Sequence, residues 1–292
     1  MERQGEGWTL TTVADAATAG RRAADAVAET VERRPAAAIA VPTGSTPLPM
    51  FGELVARVRR GELDLSRVEL FCLDEYLGVG PDDPNSLTGW LHRELLGPAG
   101  IDPARVHAVP ATDPDPEAAA ARFEAELAAA GGLELAVLGL GPNGHVAYNE
   151  PGSAADSRTR VVELTPGSIA QASAYWAGAV PIPNRAITVG VGTLLEARRL
   201  VLLVTGEAKT GVLRRALRDP MGPDLPASWL RLAGARLEVI ADAGAAGEVV
   251  RGPRTRPLRP FAVRATHASP SSRGEDACPM RRVAEGHDTD FG

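Results

Sequence analysis

The segment Leu140–Ser153 reads L-G-P-N-G-H-V-A-Y-N-E-P-G-S and sets one imidazole, His145, in a glycine-rich run with Glu150 five positions on. Gly139, Gly141 and Gly144 allow the backbone to pass close to a ligand. A carboxylate bonded to one ring nitrogen orients an imidazole and holds its basicity near neutrality, so the run reads as an active-site loop with His145 working and Glu150 supporting it. A pair of acids, Asp74 and Glu75, follows the apolar run Val68–Leu73. Two carboxylates at the end of a buried strand are costly unless a ligand or partner uses them. In extended backbone they point to opposite faces, so at most one faces a site; a capping or salt-bridging pair is the plainer alternative. The stretch Pro42–Pro47, P-T-G-S-T-P, carries hydroxyls at Thr43, Ser45 and Thr46 just before a helix. With Gly44 allowing close approach, it suits a phosphate. The same residues also read as an ordinary cap, with Thr46 capping and Pro47 at the first helical position. Finally, Gly206-Glu207-Ala208-Lys209 opens a helix with a cation that opposes the helix dipole. An anionic ligand accounts for Lys209 there; a solvated surface lysine is the alternative. Together these loops describe a phosphate pocket beside an acid–base centre.

The elements that must position them follow a regular alternation. Asp15–Glu32 spaces Ala and Val as an amphipathic helix, and Ala36–Val41 is a short apolar run without alternation, as in a strand buried on both faces. Thr46–Arg59, Ser86–Leu96, Pro116–Ala130 and Glu207–Leu217 read as helices. Val68–Leu73, Leu133–Leu140, Ala186–Gly190, Leu200–Thr205 and Leu237–Ala241 read as strands. Such alternation predicts an α/β fold: three layers, a mostly parallel sheet with helices on both faces, Rossmann-like and doubly wound. Ligands in such sheets bind beyond the carboxyl ends of the strands, where the loops above lie. Residues 1–250 suit one α/β domain; 251–292, rich in Arg and Pro and without periodicity, reads as a disordered, solvated tail.

Composition narrows the function classes. The chain has 292 residues, 44% of them hydrophobic, a formal charge of −6, and no long apolar run. This gives no electrostatic reason to expect nucleic acid or an anionic membrane as partner, and no membrane span or signal peptide. Only 4% is aromatic, so the core must be built from Ala, Val and Leu. Cys72 lies in an apolar strand and Cys278 in the polar tail, which argues against a structural disulfide. A cytoplasmic enzyme is expected; a homo-oligomer is left open.

The chain resembles the glucosamine-6-phosphate deaminase (isomerase) family, related to the 6-phosphogluconolactonases. The resemblance rests on P-T-G-S-T-P-L at Pro42–Leu48, L-D-E-Y-L-G at Leu73–Gly78 and G-H-V-A-Y-N-E-P-G-S at Gly144–Ser153. S-R-T-R at Ser157–Arg160, A-I-T-V-G-V-G-T-L-L at Ala186–Leu195 and G-E-A-K at Gly206–Lys209 complete it, in the family's order, over about residues 10–250. It implies a cofactor-free and metal-free hydrolytic deamination of an amino-sugar phosphate: ring opening, aldose-to-ketose isomerisation and loss of ammonia. His145 would move the ring-oxygen proton with Glu150 and Asn143 supporting it, and Asp74 would carry the C2 proton to C1. Thr43, Gly44, Ser45, Thr46, Gly144 and Lys209 would hold the substrate and its phosphate.

Three departures from the family pattern stand out. Asn143 occupies a position where the family often has Asp, so the imidazolium loses one neighbouring anion, although an amide can still orient the ring. The lid Ala170–Trp176 carries no Arg at Ser173 or Ala174. That loss should weaken phosphate binding by about 1.5–3 kcal/mol unless Arg158, Arg185 or Arg231 substitutes. Of two basic positions that bind an activating amino-sugar phosphate in allosteric members, Arg160 is kept and the other is Val162, followed by Glu163, so no such activation is expected. The alternatives are a lactonase, a sugar-phosphate isomerase without deamination, and a non-catalytic sugar-phosphate-binding regulatory module.

Overall fold

The computed structural model describes residues 2–4, 7–173, 176 and 181–251. The strands are β1 (Glu2–Gln4), β2 (Thr9–Val13), β3 (Ala38–Val41), β4 (Glu69–Cys72), β5 (Asp74–Tyr76), β6 (Val106–His107), β7 (Leu135–Gly139), β8 (Arg160–Glu163), β9 (Arg185–Thr188), β10 (Leu200–Val204) and β11 (Leu237–Asp242). The helices are α1 (Ala16–Arg33), α2 (Leu48–Arg59), α3 (Leu87–Leu91), α4 (Gly97–Ala99), α5 (Pro116–Ala129), α6 (Pro166–Ala172), α7 (Val191–Leu195), α8 (Thr210–Arg218) and α9 (Ala243–Arg251).

The main sheet has the order β1-β2-β11-β10-β7-β3-β4-β6; β1 is antiparallel at its edge and the other seven strands are parallel. Alternate residues feed two cores. Ile39, Val41, Val137, Val201 and Leu203 pack with α1 and α2 on one face. Ala40, Leu138, Leu202, Val204 and Val239 pack with α5, α8 and α9 on the other. Burial on both faces is why these strands read as unbroken apolar runs. The expected three-layer, mostly parallel architecture is thus the one observed.

The expected strand over residues 186–190 is β9, displaced to 185–188, and it does not join the parallel sheet. It lies between β5 and β8 in a separate antiparallel sheet, with Asp74 opposite Thr188 and Val161 opposite Ile187. Its buried residues give the same apolar signal in either setting, so the run alone cannot assign its sheet. The helix expected at 46–59 starts at Leu48, with Pro47 as its N-cap and no side chain capping it. Thr46 is therefore not a cap. The helix expected at 86–96 is capped by the Ser86 hydroxyl, which accepts from Gly89 N–H, but widens after α3 into a π-type turn over His92–Leu96. The start expected at Glu207 is a 3₁₀ turn, Glu207–Lys209, leading into α8. α9 ends at Arg251; the tail 252–292, Cys278 and Ala174 lie outside the described residues.

Candidate active site

A cleft of about 240 Å³ opens beyond the carboxyl ends of β3, β4, β7 and β10. It is lined by Thr43, Gly44, Ser45 and Thr46 after β3, Asp74 and Tyr76 on β5, His145 after β7 and Lys209 after β10. The chain order separates these residues by up to 166 positions; the parallel sheet gathers them at one edge.

Leu73 is the joint at which the chain leaves the main sheet: β4 pairs with β3 before it and β5 with β9 after it. Asp74 and Glu75 then take different roles, as extended backbone requires. Glu75 turns away from the cleft and accepts from the N–H groups of Tyr76, Leu87 and Thr88 at 2.9–3.0 Å and from the Ser86 hydroxyl at 2.6 Å, so it ties down the start of α3. Asp74 faces the cleft although only 8% exposed. Burial, reinforced by the Glu75 charge, raises its carboxyl from 3.8 to about 7. A carboxylate that releases its proton near neutrality is suited to take and return one during turnover.

His145 rests on the backbone of Gly141, where a Cβ would lie 2.2 Å from the imidazole. Its Nδ1 lies 3.6 Å from Glu150 Oε2 and 3.3 Å from Ser168 Oγ, with Ser168 supplied by α6. Burial works to raise the Glu150 carboxyl, but hydrogen bonding and charge from His145, Ser168 and Asn143 outweigh it and hold it at about 2. Glu150 thus stays ionised behind the ring. Asn143 makes no hydrogen bond to the imidazole among the described residues, and its amide supports the ring at one remove. Its Oδ1 accepts the His145 backbone N–H at 3.1 Å and its Nδ2 donates to Glu150 Oε2 at 2.6 Å. A backbone donor at one end and a carboxylate acceptor at the other fix the amide's orientation. Asn143 orients Glu150, and through it the ring.

Gly144 is off the cleft wall. It has φ +91°, and a Cβ there would meet Leu225 Cδ1 at 2.1 Å, so its glycine serves close packing rather than substrate contact. Three positions later the chain turns at Ala147, φ 49°, the only non-glycine with positive φ among the described residues. This turn puts Tyr148 on the wall, where its hydroxyl donates to the Tyr76 hydroxyl at 2.7 Å. Trp176 meets the Tyr76 ring edge-on at 5.0 Å.

Lys209 is half-buried, and its Nζ donates to Leu140 O at 2.8 Å. Burial lowers its pKa, and among the described residues it forms no ion pair with a carboxylate. A desolvated cation on a cleft wall beside a hydroxyl-bearing loop is a ready anion site. None of the three arginines offered as substitutes for the lid lines this cleft: Arg158 pairs with Glu124 and Glu196, Arg231 donates to Asp219 O, and Arg185 is exposed on β9. The cleft arginine is instead Arg93, which the sequence reading passed over. Ser86, Trp90 and Arg93 recur three or four apart, and that spacing placed them on one helical face. Arg160 is committed to Asn149 Oδ1 and Ser153 Oγ, where it braces the loop that carries His145. No three or more His, Cys, Asp or Glu are grouped to hold a metal ion among the described residues.

Comparison with known proteins shows the family. Residues 11–239 match the family model of glucosamine-6-phosphate isomerases/6-phosphogluconolactonase. A glucosamine-6-phosphate deaminase of Rhodopirellula baltica is 41% identical over 219 residues, covering 75% of this chain and 87% of its own. One from Streptomyces avermitilis is 39% identical over 234 residues, 80% of this chain and 90% of its own. Among solved structures, a monomeric glucosamine-6-phosphate deaminase superposes with a TM-score of 0.78 at 29% identity, covering 82% of this chain and 98% of that one. A 6-phosphogluconolactonase from Trypanosoma cruzi shares the fold, with a TM-score of 0.66 at 21% identity over 82% and 96% of the two chains. The chain belongs to the glucosamine-6-phosphate isomerase/6-phosphogluconolactonase family.

Proposed function

We propose that the protein deaminates and isomerises glucosamine 6-phosphate, taking up water and releasing fructose 6-phosphate and ammonia, with Asp74 as the proton carrier. The observation that carries this reading is the Asp74 carboxyl: buried, turned into the cleft and raised to about 7. Opening a lactone needs no base at C2, whereas an aldose-to-ketose shift does.

In this reading the imidazole of His145 transfers the proton from the C1 hydroxyl to the ring oxygen, and the sugar opens to its aldehyde. Ionised Glu150 stabilises the imidazolium formed on the way. Asp74 then removes the C2 proton as the C1 oxygen is protonated, which leaves an enol-amine. Return of that proton to C1, with a proton leaving the C2 nitrogen system, gives an imine at C2; water adds there and ammonia departs. Lys209, with the Thr43–Thr46 loop, receives the phosphate, and Arg93 offers a second cation at the cleft. The proposed location is the cytoplasm, where a phosphorylated sugar is retained; no helix among the described residues is long and apolar enough to cross a membrane.

The test is ammonia release from glucosamine 6-phosphate, run beside hydrolysis of 6-phosphogluconolactone. Ammonia release that Asp74→Asn abolishes supports the reading. Lactone opening without ammonia release overturns it.

A further inference from the structure

A second cleft, of about 410 Å³, lies at the amino ends of β2, β10 and β11, and so at the opposite edge of the sheet from the catalytic cleft. The five residues of β10 separate the two by about 16 Å of strand. Five guanidinium groups line it, those of Arg22, Arg33, Arg198, Arg199 and Arg236, with a single carboxylate, Glu238. This is an unusual density of positive charge in a chain of net charge −6.

The pairing within the cleft leaves a cationic surplus. Arg22 and Arg199 share Glu238 and the flanking Glu29, at 2.8–3.4 Å, and these four groups balance. Arg198 reaches Glu134 at 3.4 Å, but Arg34 holds that same carboxylate at 2.9 Å. Among the described residues Arg236 is held only by backbone carbonyls, those of Leu195 and Ala197. Arg33 has no partner among the described residues although it lines the cleft. A shared carboxylate and backbone carbonyls hold Arg198 and Arg236 in place without neutralising them. Planar guanidinium forks of this kind match phosphate oxygens in pairs.

We propose that this cleft is a second anion site, built for a small metabolite that carries a diphosphate or two phosphates. Such a ligand matches the surplus in charge, and the cavity lies in the size range of small-molecule sites. Arg33, Arg198 and Arg236 are its expected contacts.

Titration calorimetry of the full chain with inorganic pyrophosphate at low salt tests the proposal. A nucleoside diphosphate and a sugar bisphosphate run as parallel arms identify which class of metabolite fits. The expected result is saturable binding that Lys209→Ala leaves intact and that Arg33→Ala/Arg198→Ala weakens about tenfold or more, with ammonia release unchanged in the double variant. Arg33→Ala alone breaks no bond among the described residues, and it should weaken binding with no change in Tm. Absence of binding at millimolar pyrophosphate, binding indifferent to the arginine variants, or binding lost in Lys209→Ala would overturn the proposal. The last result would assign the anion to the catalytic cleft.

Discussion

Replacing Asp74 with Asn should make the protein more stable and inactive at once, and the gain should depend on pH with a known sign. The native carboxyl keeps its proton up to about pH 7, whereas the unfolded chain releases it near 3.8. Between those values the native state binds more protons than the unfolded one, so its stability falls as pH rises. The interval is a little over three pH units at about 1.4 kcal/mol each, a ceiling of roughly 4 kcal/mol from burying an ionised Asp74. Asn escapes this cost and fits the same space. Urea unfolding of both proteins at pH 5 and pH 8.5 reads the difference. The variant should exceed wild type by at most roughly 1.7 kcal/mol at the acid value and by at most roughly 4 at the alkaline one. The wild-type kcat/KM should fall on the acid side of about 7, the value at which Asp74 gains its proton. An Asn variant no more stable at pH 8.5 than at pH 5, relative to wild type, would refute the argument that burial sets this carboxyl.

Three further outcomes follow from the same geometry. Lys209→Ala should raise KM for the phosphorylated substrate about tenfold to a hundredfold, the worth of a charge-assisted bond, while Tm holds or rises because a desolvated cation is removed; an unchanged KM would mean that the phosphate lies elsewhere. Glu150→Gln should cost up to roughly 3 kcal/mol at neutral pH, since the carboxyl is held at about 2 against its usual 4.5. That advantage is present above 4.5 and is lost as pH falls towards 2, so acid unfolding curves of wild type and variant should converge. Gly144→Ala, which combines positive φ with a Cβ 2.1 Å from Leu225, should destabilise by roughly 3 kcal/mol, read as a lower denaturation midpoint.

The parts of the site legible in the sequence are those in which one residue type at a strand end carries the information. His145, Asp74 and the Thr43–Thr46 loop each follow an unbroken apolar run, and a parallel sheet converts "after the strand" into "at the cleft" without further knowledge. Contacts made across the fold were not legible. Asn143 reaches Glu150 rather than the ring because both its amide ends are already matched, which spacing cannot reveal. Gly144 looked like a ligand-facing glycine, and only the position of Leu225 shows what it makes room for. β9 was recognisable as a strand but not as antiparallel, since its partner β5 lies about 110 positions away and burial is alike in both sheets. Arg93 was visible in principle, on a helical stripe with Trp90, but a surface arginine gives no signal until the cleft beside it is known.

The joint at Leu73 has a consequence for how this enzyme keeps its alignment. Thr188 sits opposite Asp74 in the small sheet, and its hydroxyl accepts the Tyr148 N–H of the catalytic loop at 3.0 Å. Its neighbour Val189 donates to Leu73 O at 2.8 Å, so two adjacent residues hold the strand end that carries Asp74 and the segment that carries His145. The two halves of the machinery are registered against a common fixture, like tools clamped to one bench. The wall side chains of Arg93 and Gln171 lie outside that clamp, so they are free to be reshaped for a new sugar while the spacing of Asp74 and His145 is preserved.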